Sequence, residues 1–188
     1  MVERAREYSP SAHYTPGLMQ DVNELYGNNR FEVVINSLAF HYASDEEKGK
    51  LLFDIHKTLT LASIIEREAK LKEEKPLISA VFHNRLKRGM PLDADPTVIY
   101  GTGAFNEPIK KIHLITYTPY NTYTFTGLPK GPICNPDKNS IMAALYPASV
   151  DFLYFVSKND GTHVFSKDMD EHNRFVAMYQ RNKNAKKQ

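Results

Sequence analysis

The 188-residue chain is long enough for one sizeable domain, or a domain with a small appendage, and its 41% hydrophobic and 24% charged residues exclude a disordered polyelectrolyte. A formal net charge of +2 gives no electrostatic reason to expect nucleic acid as a partner. The single cysteine, Cys134, excludes an internal disulfide, and its surroundings PICNPD supply no base for thiol catalysis.

Residues Met1 to Thr15 mix charge with Ser9 and Pro10 without a period and read as coil; the charged start is unlike a secretory signal. No apolar run approaches the roughly 20 residues of a membrane span, so this stretch of chain by itself is expected to be soluble. Gly17 to Tyr26 suggests a short helix broken by Gly27-Asn28-Asn29. Phe31, Val34, Ile35, Leu38, Ala39 and Tyr42 then recur at helical spacing. Ser44-Asp45-Glu46-Glu47 offers a cap and first-turn acids for the next helix, which sets a boundary between an N-terminal segment, 1–44, and a domain over 45–180. The basic end, 181–188 with Arg181, Lys183, Lys186 and Lys187, reads as a solvated tail.

Around the helical wheel from Thr58 to Leu71, the apolar residues Leu61, Ile64, Ile65 and Leu71 cover most of the circumference and predict a helix buried on nearly every side. Glu66 lies on the remaining strip, walled by Ala62, Ser63, Ala69 and Lys70. A carboxyl in such a place is partly desolvated, which raises its pKa toward the range of a general acid or base. The other reading open at this point is an ordinary helix glutamate reaching Lys70 one turn on. Glu68 points to the Leu61 and Ile64 side, where a structural ion pair with Arg85 is the expectation.

A second helix starts near Pro76, ends before Gly89 and buries Leu77, Ile78, Val81, Phe82 and Leu86. Asp95-Pro96 opens a short helical turn closed by Gly101, with Asp95 as cap, so Asp93 and Asp95 read as turn chemistry. The segment Thr116 to Pro132, TYTPYNTYTFTGLPKGP, has no helical period and predicts extended strand and loop. Its hydroxyl, amide and aromatic groups suit a polyol-binding groove, or a turn region in which Asn121 satisfies its own backbone. Asn135-Pro136 caps a helix through Ile141 and Leu145 that Pro147 stops. Asp151 to Ser157 and Thr162 to Ser166 form a hairpin over Asn159-Asp160-Gly161, and Ser166 and Asp168 start a last helix with Phe175, Val176 and Tyr179 inward. His163 and His172 lie on different elements without further ligands at metal spacing, so no metal is expected.

These residues carry a resemblance. ASIIEREA, FHNRLKRGMPLDADPTVIYG, TPYNTYTFTGLPKGPICNP, AALYPAS, LYFVSKNDGTHVFS and EHNR, in this order from about Leu61 to Tyr179, resemble the endolytic murein transglycosylase family, the YceG-like or MltG-type proteins. The resemblance implies an α+β fold: a helix-rich catalytic domain with a short antiparallel hairpin. It implies cleavage of peptidoglycan within the glycan strand, between N-acetylmuramic acid and N-acetylglucosamine, without metal or cofactor. In this resemblance Glu66 takes the part of the single acid/base, and the product is a 1,6-anhydro sugar. Asn121, Tyr120, Tyr123, Asn84 and Thr97 are the candidate substrate contacts, with Glu68 and Arg85 structural. Family members are implied to sit in the cytoplasmic membrane through an N-terminal helix, to face the cell wall or periplasm, and to work beside peptidoglycan synthases. The chain departs from the family in showing no recognisable anchor or LysM-like module in residues 1–44, and in carrying Asp93 where the family often has glutamine. A water-using muramidase, which would need a second carboxylate, and a non-catalytic glycan-binding module are the rival readings. Nucleic-acid binding through the basic tail and tyrosines lacks a stacking motif.

Overall fold

The computed structural model describes residues 44–181. The chain divides into two units, Met1–Leu51 and Leu52–Gln188, and apart from the helical start at residues 45–51 everything below concerns the second. The helices expected over Gly17–Tyr26 and Phe31–Tyr42, and the tail beyond Arg181, lie outside the described residues.

The order of elements is α1 (Asp45–Glu68), α2 (Lys75–Lys87), α3 (Asp95–Thr102), α4 (Lys111–Ile115), α5 (Lys138–Leu145), β1 (Tyr154–Ser157), β2 (His163–Ser166) and α6 (Met169–Val176), followed by a π-helical turn, Ala177–Arg181. This is the helix-rich α+β architecture with one two-stranded antiparallel sheet. The C-terminal half of α1 is the spine of the core: Leu61, Ala62, Ile64 and Ile65 pack with Ile78 and Phe82 of α2, Leu92 and Ala94, Ile133, and Ala143 and Ala144 of α5. Among the described residues no helix is long and apolar enough to cross a membrane.

The local chemistry accounts for most boundaries. Pro76, with its missing N–H and fixed φ, sits in the first turn of α2, and Gly89 at φ +64 turns the chain after it. Asp168 accepts from the Glu171 N–H at 2.8 Å to cap α6. The hairpin pairs Phe155 with Phe165 and Val156 with Val164 across Asn159 and Gly161, both in the left-handed region.

Leu71, expected on the buried face of the first helix, lies beyond its end at Glu68 and is exposed, and four further expectations need correction. The cap of α5 is Asp137, whose carboxylate accepts from the Ser140 N–H at 2.7 Å, and Asn135 lies before it. The N-cap of α3 is Ala94, which places Asp95 and Pro96 inside the first turn, and Gly103 rather than Gly101 closes the helix at φ +73. Gly101 instead lies against the following loop, where a Cβ would collide with the Thr118 hydroxyl. Residues 116–132 form no strand, because their backbone groups bond within the loop and to its side chains. The short helix α4 has no clear periodic signal, since five residues span little more than one turn.

Candidate active site

Glu66 and Glu68 stand on the last turn of α1, two residues and therefore about 200° apart around the helix axis, and they face different cavities.

On the Glu66 side is an open cleft of about 760 Å³ whose charged lining includes Arg67, Lys70, Lys72 and Glu73. Glu66 is not free within it. Its Oε2 accepts from Ser140 Oγ at 2.6 Å, Lys75 Nζ at 2.9 Å and the Asp137 N–H at 3.2 Å. Lys75 is almost fully buried and also donates to Asp137 Oδ1 at 2.9 Å. This network ties the end of α1 to the starts of α2 and α5. Burial works against the Glu66 charge, but the bonds from Ser140, Lys75 and the Asp137 N–H and the Lys75 charge outweigh it, so its pKa falls below the usual 4.5. The ion pair is with Lys75, not Lys70, and a carboxylate so held keeps its charge and offers no proton near neutral pH.

On the other side, Glu68 lines a cavity of about 440 Å³ together with Arg85, Asp93, Asp95, Tyr123, Tyr154 and His172, over an apolar floor of Leu92 and Phe155. Burial, with the Asp95 charge adding to it, pushes the Glu68 carboxyl up to about 8. Arg85 does not pair with Glu68 as expected. It donates from Nε to the Leu153 carbonyl at 2.7 Å and from a terminal nitrogen to the carbonyls of Pro91 and Leu92 and the Asp93 carboxylate at 2.8 Å. The buried guanidinium, whose carbon lies 5.0 Å from the Tyr154 ring centre, thus locks the turn in which Asp93 adopts φ +49.

The remaining sequence candidates divide in the same way. Tyr123 lines the Glu68 cavity and donates its hydroxyl to Asp95 Oδ1 at 2.7 Å; burial and that acceptor push its pKa up, so it stays a donor. Asn121 is fully buried, with Nδ2 donating to the carbonyls of His113, Leu114 and Thr116 and Oδ1 accepting from the Tyr123 N–H. Thr97 is equally buried and meets Thr122 hydroxyl to hydroxyl at 2.9 Å, while the Thr122 hydroxyl also accepts from the Ala94 N–H. Asn84 donates to the carbonyls of Val150 and Phe152. Tyr120 packs edge-on to Tyr100 with ring centres 4.7 Å apart. Asn121 and Thr97, both fully buried with their polar atoms bonded, therefore hold the scaffold, and the Asn84 amide nitrogen does the same for the segment before β1. His163 bonds Glu74 at 2.7 Å, apart from His172, and among the described residues no group of three His, Cys, Asp or Glu is disposed to hold a metal ion.

Sequence reasoning missed Lys75, Asp137 and Ser140, whose role depends on contacts across more than 60 positions. It also set aside Asp95 as a cap. The signal available was the two-residue offset between the glutamates, which sends them to opposite faces.

An acid of raised pKa, unpaired among the described residues, in a recess of tyrosines, carboxylates and an arginine-locked turn has the chemistry to pass a proton to a polar ligand. The chain belongs to the YceG-like family, whose match covers residues 20–178. It is similar to proteins named endolytic murein transglycosylase: one from Bacillus subtilis, 44% identical over 80% of this chain and 41% of the relative, and one from Streptococcus pneumoniae, 30% identical over 75% of this chain and 26% of the relative. It is also similar to a Listeria monocytogenes crystal structure described as a yceG-like protein, at 40% identity and a TM-score of 0.63 over 75% of this chain and 45% of that one. The chain thus spans less than half the length of these relatives.

Proposed function

We propose that residues 45–180 form a catalytic domain that cleaves peptidoglycan within its glycan strands as a lytic transglycosylase, with Glu68 rather than Glu66 as the single general acid/base. Support for the substrate comes from the names of the relatives. The observation that carries the acid's assignment is the contrast on one helical turn: Glu66 is committed to Lys75, while Glu68 faces a cavity with its proton retained near neutral pH.

In this reading Glu68 gives its proton to the glycosidic oxygen as the bond to C1 of the muramic sugar breaks. The leaving N-acetylglucosamine departs as its 4-hydroxyl, and C1 takes on oxocarbenium-like charge. The Glu68 carboxylate then accepts the proton of the muramic 6-hydroxyl as that oxygen bonds to C1. The 1,6-anhydro ring closes, Glu68 is restored and no water is consumed. Tyr123 is the sequence-derived contact that keeps a place in this site; Asn121, Thr97 and Asn84 serve it by fixing the loop, α3 and the hairpin. In this reading residues 1–44 and the basic stretch 181–188 lie outside the catalytic domain. The working place is the wall side of the cytoplasmic membrane, beside peptidoglycan synthases.

One observation favours a second reading: Asp95 shares the cavity with Glu68, and paired carboxylates are the apparatus of hydrolases. Mass spectrometry of products from purified sacculi separates them. Ends of the 1,6-anhydro form, resistant to borohydride, are expected. Reducible ends heavier by one water would instead show hydrolysis, and absence of turnover would leave a binding module.

A further inference from the structure

We propose that Asp95, anchored by the Tyr123 hydroxyl, is a positioning residue whose negative charge keeps the proton on Glu68 and returns it there after each cleavage. The proposal rests on the assignment of Glu68 as the acid.

Asp95 stands in the first turn of α3, where a negative charge suits the helix N-terminus, but its side chain does not cap the helix. The cap position of α3 belongs to Ala94, without a side-chain cap bond, and the Thr97 hydroxyl serves the Ala94 carbonyl at 2.7 Å. The Asp95 carboxylate instead accepts from Tyr123 Oη at 2.7 Å, in the cavity that Glu68 lines. That geometry is held from behind: the buried pair of Thr97 and Thr122 hydroxyls, 2.9 Å apart, joins the start of α3 to the loop that carries Tyr123. The two ends of the Asp95–Tyr123 bond thus belong to segments already sewn together.

The charges facing Glu68 then sum in one direction. Arg85, from α2, is matched by Asp93 at 2.8 Å. His172, from α6, is biased toward its neutral form by burial and by Arg85. Tyr123 stays protonated and donates to Asp95. Asp95 has no cation partner among the described residues, so its like charge adds to burial, the larger cause, in disfavouring ionisation of Glu68. The consequence for turnover is twofold. Glu68 remains an acid at neutral pH, and after giving its proton to the glycosidic oxygen it is a carboxylate beside a carboxylate, hence a strong base toward the 6-hydroxyl.

The test titrates the Glu68 carboxyl in the 188-residue chain by NMR with carbon-13-labelled glutamate, assigned by the resonance missing from Glu68→Gln, beside the pH–rate profile on sacculi. Asp95→Asn is expected to move the Glu68 midpoint and the alkaline limb of kcat down together, by on the order of one pH unit. Asp95→Glu, which restores the charge, should recover most of that shift. Tyr123→Phe keeps the charge but frees it, and should lower both by less than Asp95→Asn does. If Asp95→Asn fails to fold, Tyr123→Phe decides alone. An unmoved midpoint in the deciding variant, with Glu68→Gln inactive, overturns this role for Asp95 and leaves the acid in place. Full activity of Glu68→Gln would overturn both.

Discussion

Lys75 Nζ lies 2.9 Å from Glu66 Oε2 and 2.9 Å from Asp137 Oδ1, and it is the pivot on which the assignment of the two glutamates turns. With 5% of its side chain exposed, the lysine needs both carboxylates, so Glu66 is the part of α1 that receives α2 and α5.

Glu66→Gln is accordingly expected to lower the melting temperature, with a loss of about 1–3 kcal/mol for a charged hydrogen bond, while turnover on sacculi stays above about a tenth of the parent's. The pH dependence has a definite sign. The Glu66 and Asp137 pKa values are depressed, so their contribution is full above about 4.5 and is lost as pH falls through their folded values. Chemical denaturation between pH 6 and 2 should show the parent losing stability more steeply than Glu66→Gln. Identical slopes would mean that the pair contributes nothing.

Glu68→Gln should behave in the opposite way. With Glu68 as the proposed acid/base, its loss is expected to cost at least about 10²-fold in turnover. Because the folded pKa is raised from 4.5 to about 8, the native state holds its proton more tightly than the unfolded chain, and stability declines as pH rises across that window. The amide removes this decline, by at most about 1.4 kcal/mol per pH unit. Stability of the variant relative to the parent should therefore grow between pH 5 and 8. A constant difference would place the Glu68 carboxyl in water.

Asn121→Ala should act on folding rather than on sugar affinity. Its truncation leaves three backbone carbonyls without the donor they share, at about 1–3 kcal/mol per buried group. Unfolding transitions at lower denaturant with KM unchanged in the surviving fraction are the expected pattern. A raised KM at unchanged stability would return Asn121 to the list of sugar contacts.

Gly101→Ala probes the same loop from the other side. The new methyl meets the Thr118 hydroxyl, which accepts from the backbone N–H groups of Tyr120 and Asn121, so the loop must move. A cost of about 1–3 kcal/mol is expected, with reduced turnover because Tyr123 travels with the segment. A Tm within a degree of the parent's would contradict the contact.

What the sequence made legible follows the reach of its signals. The α1 and α2 helices, Pro76, Gly89, the hairpin and its turn rest on period and punctuation, which are local, and the structure keeps them. The burial of Leu61, Ile64 and Ile65 around a glutamate was readable from the same period. Which glutamate was committed was not, because Lys75, Asp137 and Ser140 become neighbours of Glu66 only through the packing of α2 and α5. For the same reason the polar stretch around Asn121 left a groove and a self-bonded turn equally open. An amide that satisfies three carbonyls and one that greets a sugar have the same sequence, and only burial separates them.

The proposed acid, Glu68, is carried by the helix whose preceding turns form the floor of the core, with Ile64 and Ile65 wholly enclosed. Sites built on surface loops can come apart while the rest of a protein stays whole, so their inactivation precedes melting. Here the reacting group has no such independent life. Heating should extinguish turnover and the near-ultraviolet signal of the core along one curve, and a stabilising substitution in α1 should lengthen the working range by the same number of degrees as it raises the melting point.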